Sequence, residues 1–176
     1  GITSGGKSSV GKSVAEALGM NFVDADKEFE EKYGTVTSVV DVEGWGGMRL
    51  KEKEVVKELS KLENTVIAWG GGVVEDDEHN KDQRNENAIY LAASGVTIWL
   101  EVTPKEAARR ADLTQDPNRR IDGNTEKTLA TRLANREASY ANVSDYRVSN
   151  EGPNPQDAVD AIVCAVNEQG ILKYKE

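Results

Sequence analysis

Gly1-Ile2-Thr3-Ser4-Gly5-Gly6-Lys7-Ser8 opens the chain, and its reading decides the fold. The pattern is a glycine, four free positions, then Gly-Lys-Ser. Glycines let main-chain N–H groups approach a polyphosphate unshielded by Cβ atoms, and a helix starting at the lysine adds the positive end of its dipole. In that arrangement Lys7 reaches the β and γ oxygens and the Ser8 hydroxyl holds Mg²⁺, while Gly1, Ser4, Gly5, Gly6 and Ser9 complete the loop. A second match, Gly6 to Ser13, overlaps the first. Helical periodicity favours the first register, because Val10 and Val14 then lie one turn apart on one face. A helix starting near Lys12 would reach Gly19 after fewer than about two turns.

Working outward, Lys7–Leu18 reads as a helix stopped by Gly19. Short apolar runs at Asn21–Ala25, Thr65–Trp69, Val96–Val102 and Tyr146–Val148 predict strands. Between them lie helical patterns at Asp26–Tyr33, Arg49–Leu62, Glu86–Ala93, Pro104–Ala111, Thr125–Tyr140 and Pro155–Glu168. Strands alternating with helices predict an α/β fold, a three-layer α/β/α sandwich with a central parallel sheet, whose ligands sit beyond the carboxyl ends of the strands. A phosphate loop needs a buried strand feeding it, so the first strand is expected upstream of Gly1.

The 176 residues suit a single domain spanning 1–176, with 30% charged, 38% apolar and 6% aromatic residues, the profile of a soluble globule. A net charge of −9 and a pI near 4.8 set a repulsive field against nucleic acid, so an anionic ligand needs a local cluster of cations. Cys164 and His79 are each the only residue of their kind, which excludes an intrachain disulfide and a multi-His or Cys/His zinc site. No apolar run nears the roughly 20 residues of a membrane span. The expectation is a monomer of the cytoplasm, or of the plastid stroma if a transit peptide has been removed.

Asp24 and Asp26 close the segment Asn-Phe-Val-Asp-Ala-Asp, and alternate strand residues share a face. One carboxylate then serves the Mg²⁺ shell and the other orients or deprotonates an attacking hydroxyl, although one of them alternatively caps the following helix. Arg49 is read at a helix start, with Glu52 one turn on to hold its fork toward a substrate carboxylate. Gly70-Gly71-Gly72 lets a ligand approach the main chain. Arg109, Arg110, Arg119, Arg120 and Arg136 make the second half locally cationic, and the polar stretch 112–124 reads as a lid. Any one of these arginines alone is equally a surface ion pair.

The order of these features resembles the shikimate kinase family. That family combines a phosphate loop, an Asp-x-Asp, a Phe-Arg-x-x-Glu, a triple glycine, an Arg-Pro-Leu lid and an Arg ahead of a Tyr in a late helix. The chain carries Gly1–Ser8, Asp24-Ala-Asp26, Met48-Arg49-Leu-Lys-Glu52, Gly70–Gly72, Asn118-Arg119-Arg120-Ile121 and Arg136-Glu-Ala-Ser-Tyr140 in that order. The resemblance implies a fold like that of the P-loop nucleoside-monophosphate kinases, ATP with Mg²⁺, and shikimate phosphorylated at its 3-hydroxyl. It implies that Asp26, Arg49, Gly70, Gly71, Gly72 and Arg136 hold shikimate, and that Ser8 and Asp24 serve the metal. Lys7 and a lid arginine, Arg119 or Arg120, would stabilise the moving phosphoryl group, with Arg110 and Pro155 near the adenine. The chain departs from the family pattern at Ser4, Val40, Met48, Trp69 and Arg120. Two other readings stand beside it: another small-metabolite kinase, such as a gluconate kinase, and a catalytically impaired binding or regulatory relative.

Overall fold

A computed structural model of the protein describes residues 1–75, 86–113 and 125–168. Helix α1 (Lys7–Leu18) starts at Gly6, whose φ of 86° lies in the left-handed region, and stops at Gly19. It buries Val10, Val14 and Ala15, the face that the favoured loop register predicts. Strand β1 (Asn21–Asp24) follows, and Asp24 caps helix α2 (Ala25–Tyr33) by accepting from the Asp26 N–H. The strand therefore ends at Asp24. Contrary to the expectation of two carboxylates on one strand face, Asp26 sits in the first turn of α2 because the cap turns the chain there.

Helix α3 (Val36–Leu59) corrects a second expectation. It is two helical segments meeting at Gly44, whose φ of 71° and ψ of 177° break the helical path. Val39 is buried ahead of that break and Met48, Val55, Val56 and Leu59 after it, so the core anchors both segments. Arg49 thus lies past the kink, inside the helical span and not at its start. The remaining elements run β2 (Thr65–Ala68), α4 (Glu86–Ser94), β3 (Ile98–Glu101), α5 (Pro104–Leu113), α6 (Glu126–Val143), β4 (Tyr146–Ser149) and α7 (Gln156–Glu168).

All strand pairing among the described residues is parallel. β1 pairs with β2 from Asn21 opposite Thr65 to Asp24 opposite Ala68, and β3 pairs with β4 from Ile98 opposite Tyr146 to Glu101 opposite Ser149. The inner strands β2 and β3 do not pair with each other. Between them lies a cavity of about 700 Å³, walled by Val66 and Ala68, by Ile98 and Leu100, and by Val10 and Val14 of α1. Each inner strand keeps one edge without a strand partner among the described residues.

Three apolar clusters hold the layers together. Val10, Val14 and Leu100 pack with Ala158, Val159 and Ile162 of α7. Phe29, Val39, Met48 and Val55 join α2 to α3, and Ile2, Val74, Trp99, Leu129 and Tyr140 fill the middle. Ile2 and Leu129 are almost fully buried, which anchors the start of the phosphate loop to the core. No helix among the described residues is long and apolar enough to cross a membrane.

Candidate active site

The loop is built from both ends of the chain. Asn150, buried just after β4, donates from Nδ2 to the Gly5 carbonyl at 2.9 Å. A Cβ on Gly6 would stand 2.7 Å from that same Nδ2, so only glycine allows both the positive φ and the close approach. Arg110 Nη2 donates to the Asn150 carbonyl at 2.5 Å and its Nε to Glu106 at 2.8 Å. Hydrogen bonds from Arg109 and then Arg110 hold the Glu106 carboxyl down at about 2. Arg110 therefore braces the residue that braces the loop.

Lys7 Nζ donates to the Ile2 carbonyl at 2.9 Å, folding the side chain back over the loop. Ser4 takes a φ of 58°, and its Oγ is buried without a hydrogen-bond partner. An orphaned hydroxyl at the turn of a glycine loop fits an anionic ligand that would accept from it. Ser8 and Ser9 lie in the first turn of α1.

The triple glycine joins this loop to a second group of side chains. A Cβ on Gly70 would stand 2.5 Å from Asp26 Oδ1, so the carboxylate of α2 packs directly on that glycine. A Cβ on Gly71 would stand 3.0 Å from the Gly1 carbonyl, and one on Gly72 3.1 Å from Arg49 Nη1 and 3.5 Å from Arg136 Nη2. Arg49 Nη1 donates to Glu52 at 2.6 Å and to the Gly72 carbonyl at 3.2 Å. Burial pushes the Glu52 carboxyl upward against the opposing pull of Arg49. Arg49 Nη2 and Arg136 Nη2 both donate to one oxygen of Glu75, at 3.0 and 2.7 Å. Burial opposes the charge of Arg136, yet the Glu75 carboxylate and, less strongly, Tyr140 outweigh it and raise the guanidinium pKa.

Asp26, Arg49, Arg136 and Gly1 thus meet around the turn Gly70–Gly72. Asp24 spends one oxygen on the cap of α2, at 3.2 Å from the Asp26 nitrogen. Pro155 sits just ahead of α7, where its carbonyl accepts from the Val159 N–H at 3.2 Å. Arg119, Arg120 and nearly all of the 112–124 stretch lie outside the described residues. Sequence reasoning missed Asn150 and Glu75. The signal for Asn150 was its place at the carboxyl end of the last strand, and for Glu75 the need of two neighbouring guanidiniums for a counter-charge.

Tyr140 locks the turn from the far side. Its hydroxyl donates to the Gly71 carbonyl at 2.5 Å, and burial pushes its pKa up to about 12. The folded state favours the neutral phenol, so this contribution is complete below the ordinary value of 10.0 and is lost as the pH rises through about 12. Chemical denaturation between pH 9 and pH 12 is expected to show Tyr140→Phe losing about 2 kcal/mol less stability than the parent over that interval. Equal slopes for the two proteins would show that Tyr140 is not held neutral by the fold.

A shikimate kinase family model matches residues 3–167. The chain belongs to the shikimate kinase family. Its relatives include the shikimate kinase of Methylococcus capsulatus, 34% identical over 168 residues that cover 94% of this chain and 88% of that protein. The shikimate kinase of Francisella tularensis subsp. holarctica is 31% identical, over 98% of this chain and 94% of that protein. Among solved structures, shikimate kinase from Acinetobacter baumannii in complex with shikimate superposes with a TM-score of 0.82 at 28% identity, covering 96% of this chain and 90% of that one. The Bacteroides thetaiotaomicron shikimate kinase shares the fold, with a TM-score of 0.81 at 23% identity over 97% of this chain and 95% of that one.

Proposed function

We propose that the chain transfers the γ-phosphoryl of ATP to the 3-hydroxyl of shikimate. One observation carries this: the Gly70–Gly72 turn lies against Gly1 of the phosphate loop and also against Asp26, Arg49 and Arg136. A donor phosphate in the loop and an acceptor on the turn would then share one cleft. The acceptor suited to two guanidiniums and one carboxylate is a small acid bearing a hydroxyl, which describes shikimate. The bulk charge of −9 repels anions, so the arginine pair supplies the local attraction.

Each residue has a defined task in this reading. Lys7 neutralises charge on the phosphoryl oxygens, and the loop amides with Ser4 hold the phosphates. Asp26 orients the attacking hydroxyl and accepts its proton. Arg49, fixed by Glu52 and Gly72, and Arg136 clamp the acceptor carboxylate. Arg119 and Arg120 are assigned from sequence to the charge of the moving phosphoryl group, and Arg110 to bracing the loop through Asn150. Ser8 and Asp24 form an all-oxygen donor set, and a cation that keeps most of its ligands as water and phosphate oxygens suits so sparse a set. They would hold Mg²⁺, which when bound screens the phosphate charge. The enzyme acts on small molecules as a monomer of the cytoplasm, or of a plastid stroma.

Coupled detection of ADP release tests the reading, with shikimate, gluconate or no acceptor added. Shikimate is expected to raise the rate far above both other arms. Faster release with gluconate would move the chain to another acceptor class, and no release with either would leave a binding or regulatory role.

The cavity between β2 and β3 bears on stability. We propose that it takes one further apolar strand, parallel to both and running into Gly1. Its walls include the aliphatic side chains Val66 and Ala68 of β2 and Ile98 and Leu100 of β3, and a strand seated there would give both unpartnered edges their hydrogen bonds. Extending the chain upstream of Gly1 by five β-branched apolar residues is expected to raise the melting temperature by about 10 °C or more. An unchanged melting temperature would rule the cavity out as a strand site.

A further inference from the structure

We propose that Glu75 is a resident carboxylate in the acceptor's anion subsite, one that the incoming acid must displace, so that this residue sets the affinity for the acceptor. The inference rests on the function proposed above.

A single oxygen of Glu75 receives both Arg49 Nη2, at 3.0 Å, and Arg136 Nη2, at 2.7 Å. These are the two donors that a substrate carboxylate would use. Glu75 is tethered beside them, since its own N–H donates to the Gly72 carbonyl at 2.9 Å. The tether makes it a poor occupant. Arg136 Nε is buried and has no hydrogen-bond partner while Glu75 is in place, so Glu75 engages only the Nη2 half of the Nε/Nη2 edge. An untethered carboxylate would take Nε and Nη2 together, the paired geometry that guanidinium favours.

Burial allows the exchange. The Arg136 side chain is 12% exposed and that of Arg49 22%, whereas Glu75 is 28% exposed at the solvent side of the pair. Two guanidiniums this close repel when no anion lies between them, so the free protein needs a counter-charge that the liganded protein does not. Glu75 supplies it and can leave toward water. Occupancy by an internal competitor multiplies the apparent affinity by the fraction of molecules in which the subsite is open, and so weakens it.

Glu75→Gln keeps the shape and removes the charge. It is expected to lower the KM for shikimate about threefold to tenfold, with kcat and the KM for ATP unchanged within about twofold. Glu75→Ala should act in the same direction. Shikimate methyl ester, which lacks the charge, should bind parent and variant alike by calorimetry. An unchanged or raised KM would overturn the proposal and make Glu75 an organiser of the arginines, and an equal gain for the ester would equally overturn it. If parent and variants all leave shikimate unphosphorylated, the proposed function falls on its own. Benzoate binding by calorimetry then judges Glu75: tighter binding in Glu75→Gln sustains displacement, and equal or weaker binding ends it.

Discussion

Lys7→Met is expected to lower turnover by about three orders of magnitude, with the melting temperature held within a few degrees. The methionine keeps the apolar stem that lies along the loop and removes the only part that meets phosphate charge. In the free protein the ammonium donates to the Ile2 carbonyl at 2.9 Å, an interaction whose loss is too small to unfold a core anchored by Ile2 itself. The charge matters when three phosphoryl oxygens crowd the loop, because a positioned cation there costs no reorganisation at the moment of transfer. Lys12→Met is the matched control, expected to keep the rate within about twofold because α1 begins at Lys7 and places Lys12 beyond its first turn. ADP release at saturating shikimate, with circular dichroism on the same samples, reads both. Near-normal turnover in Lys7→Met, or a collapse in Lys12→Met, would move the phosphate site to the second register.

That register was legible because two constraints agree in α1: a glycine stop at Gly19 and a buried stripe at Val10 and Val14. The strands were legible for a similar reason, each being a short apolar run between polar turns, and their observed bounds differ by a residue or two at the ends. The helix ahead of Gly44 was not legible. Val36–Glu43 carries no clean amphipathic stripe, and a glycine-rich segment reads as a loop when nothing in the sequence says that Val39 and Met48 are buried on either side of it. The acceptor site divides along the same line. Arg49, Arg136 and the triple glycine were legible through the order of motifs that resembles the shikimate kinase family, since each arginine alone reads as a surface cation. Glu75 and Asn150 were not, because an acidic residue and an asparagine in polar stretches of sequence are unremarkable until the fold sets them against two guanidiniums and a loop carbonyl.

Asp26 carries the second large effect. Asp26→Asn is expected to reduce kcat by about 10²- to 10⁴-fold while the KM for shikimate changes by less than about fivefold. The substitution is nearly isosteric, so the packing of its side chain on Gly70 survives, as does the capping contact from the Asp26 N–H to Asp24 Oδ1 at 3.2 Å. What disappears, in the proposed function, is the base that would stand beside the acceptor and the negative charge that would draw its hydroxyl proton. Glu52 cannot substitute for it. That carboxyl is buried, is pushed up by desolvation and is committed to Arg49 at 2.6 Å, so it changes partner only by releasing Arg49. The KM is expected to hold because, in the proposed function, Arg49 and Arg136 would grip the opposite end of the acid. Steady-state kinetics in shikimate at fixed saturating ATP separates the two parameters. A rise in KM at constant kcat would make Asp26 a binding group alone, and the proton of the acceptor hydroxyl would then have to leave by a route that does not pass through α2.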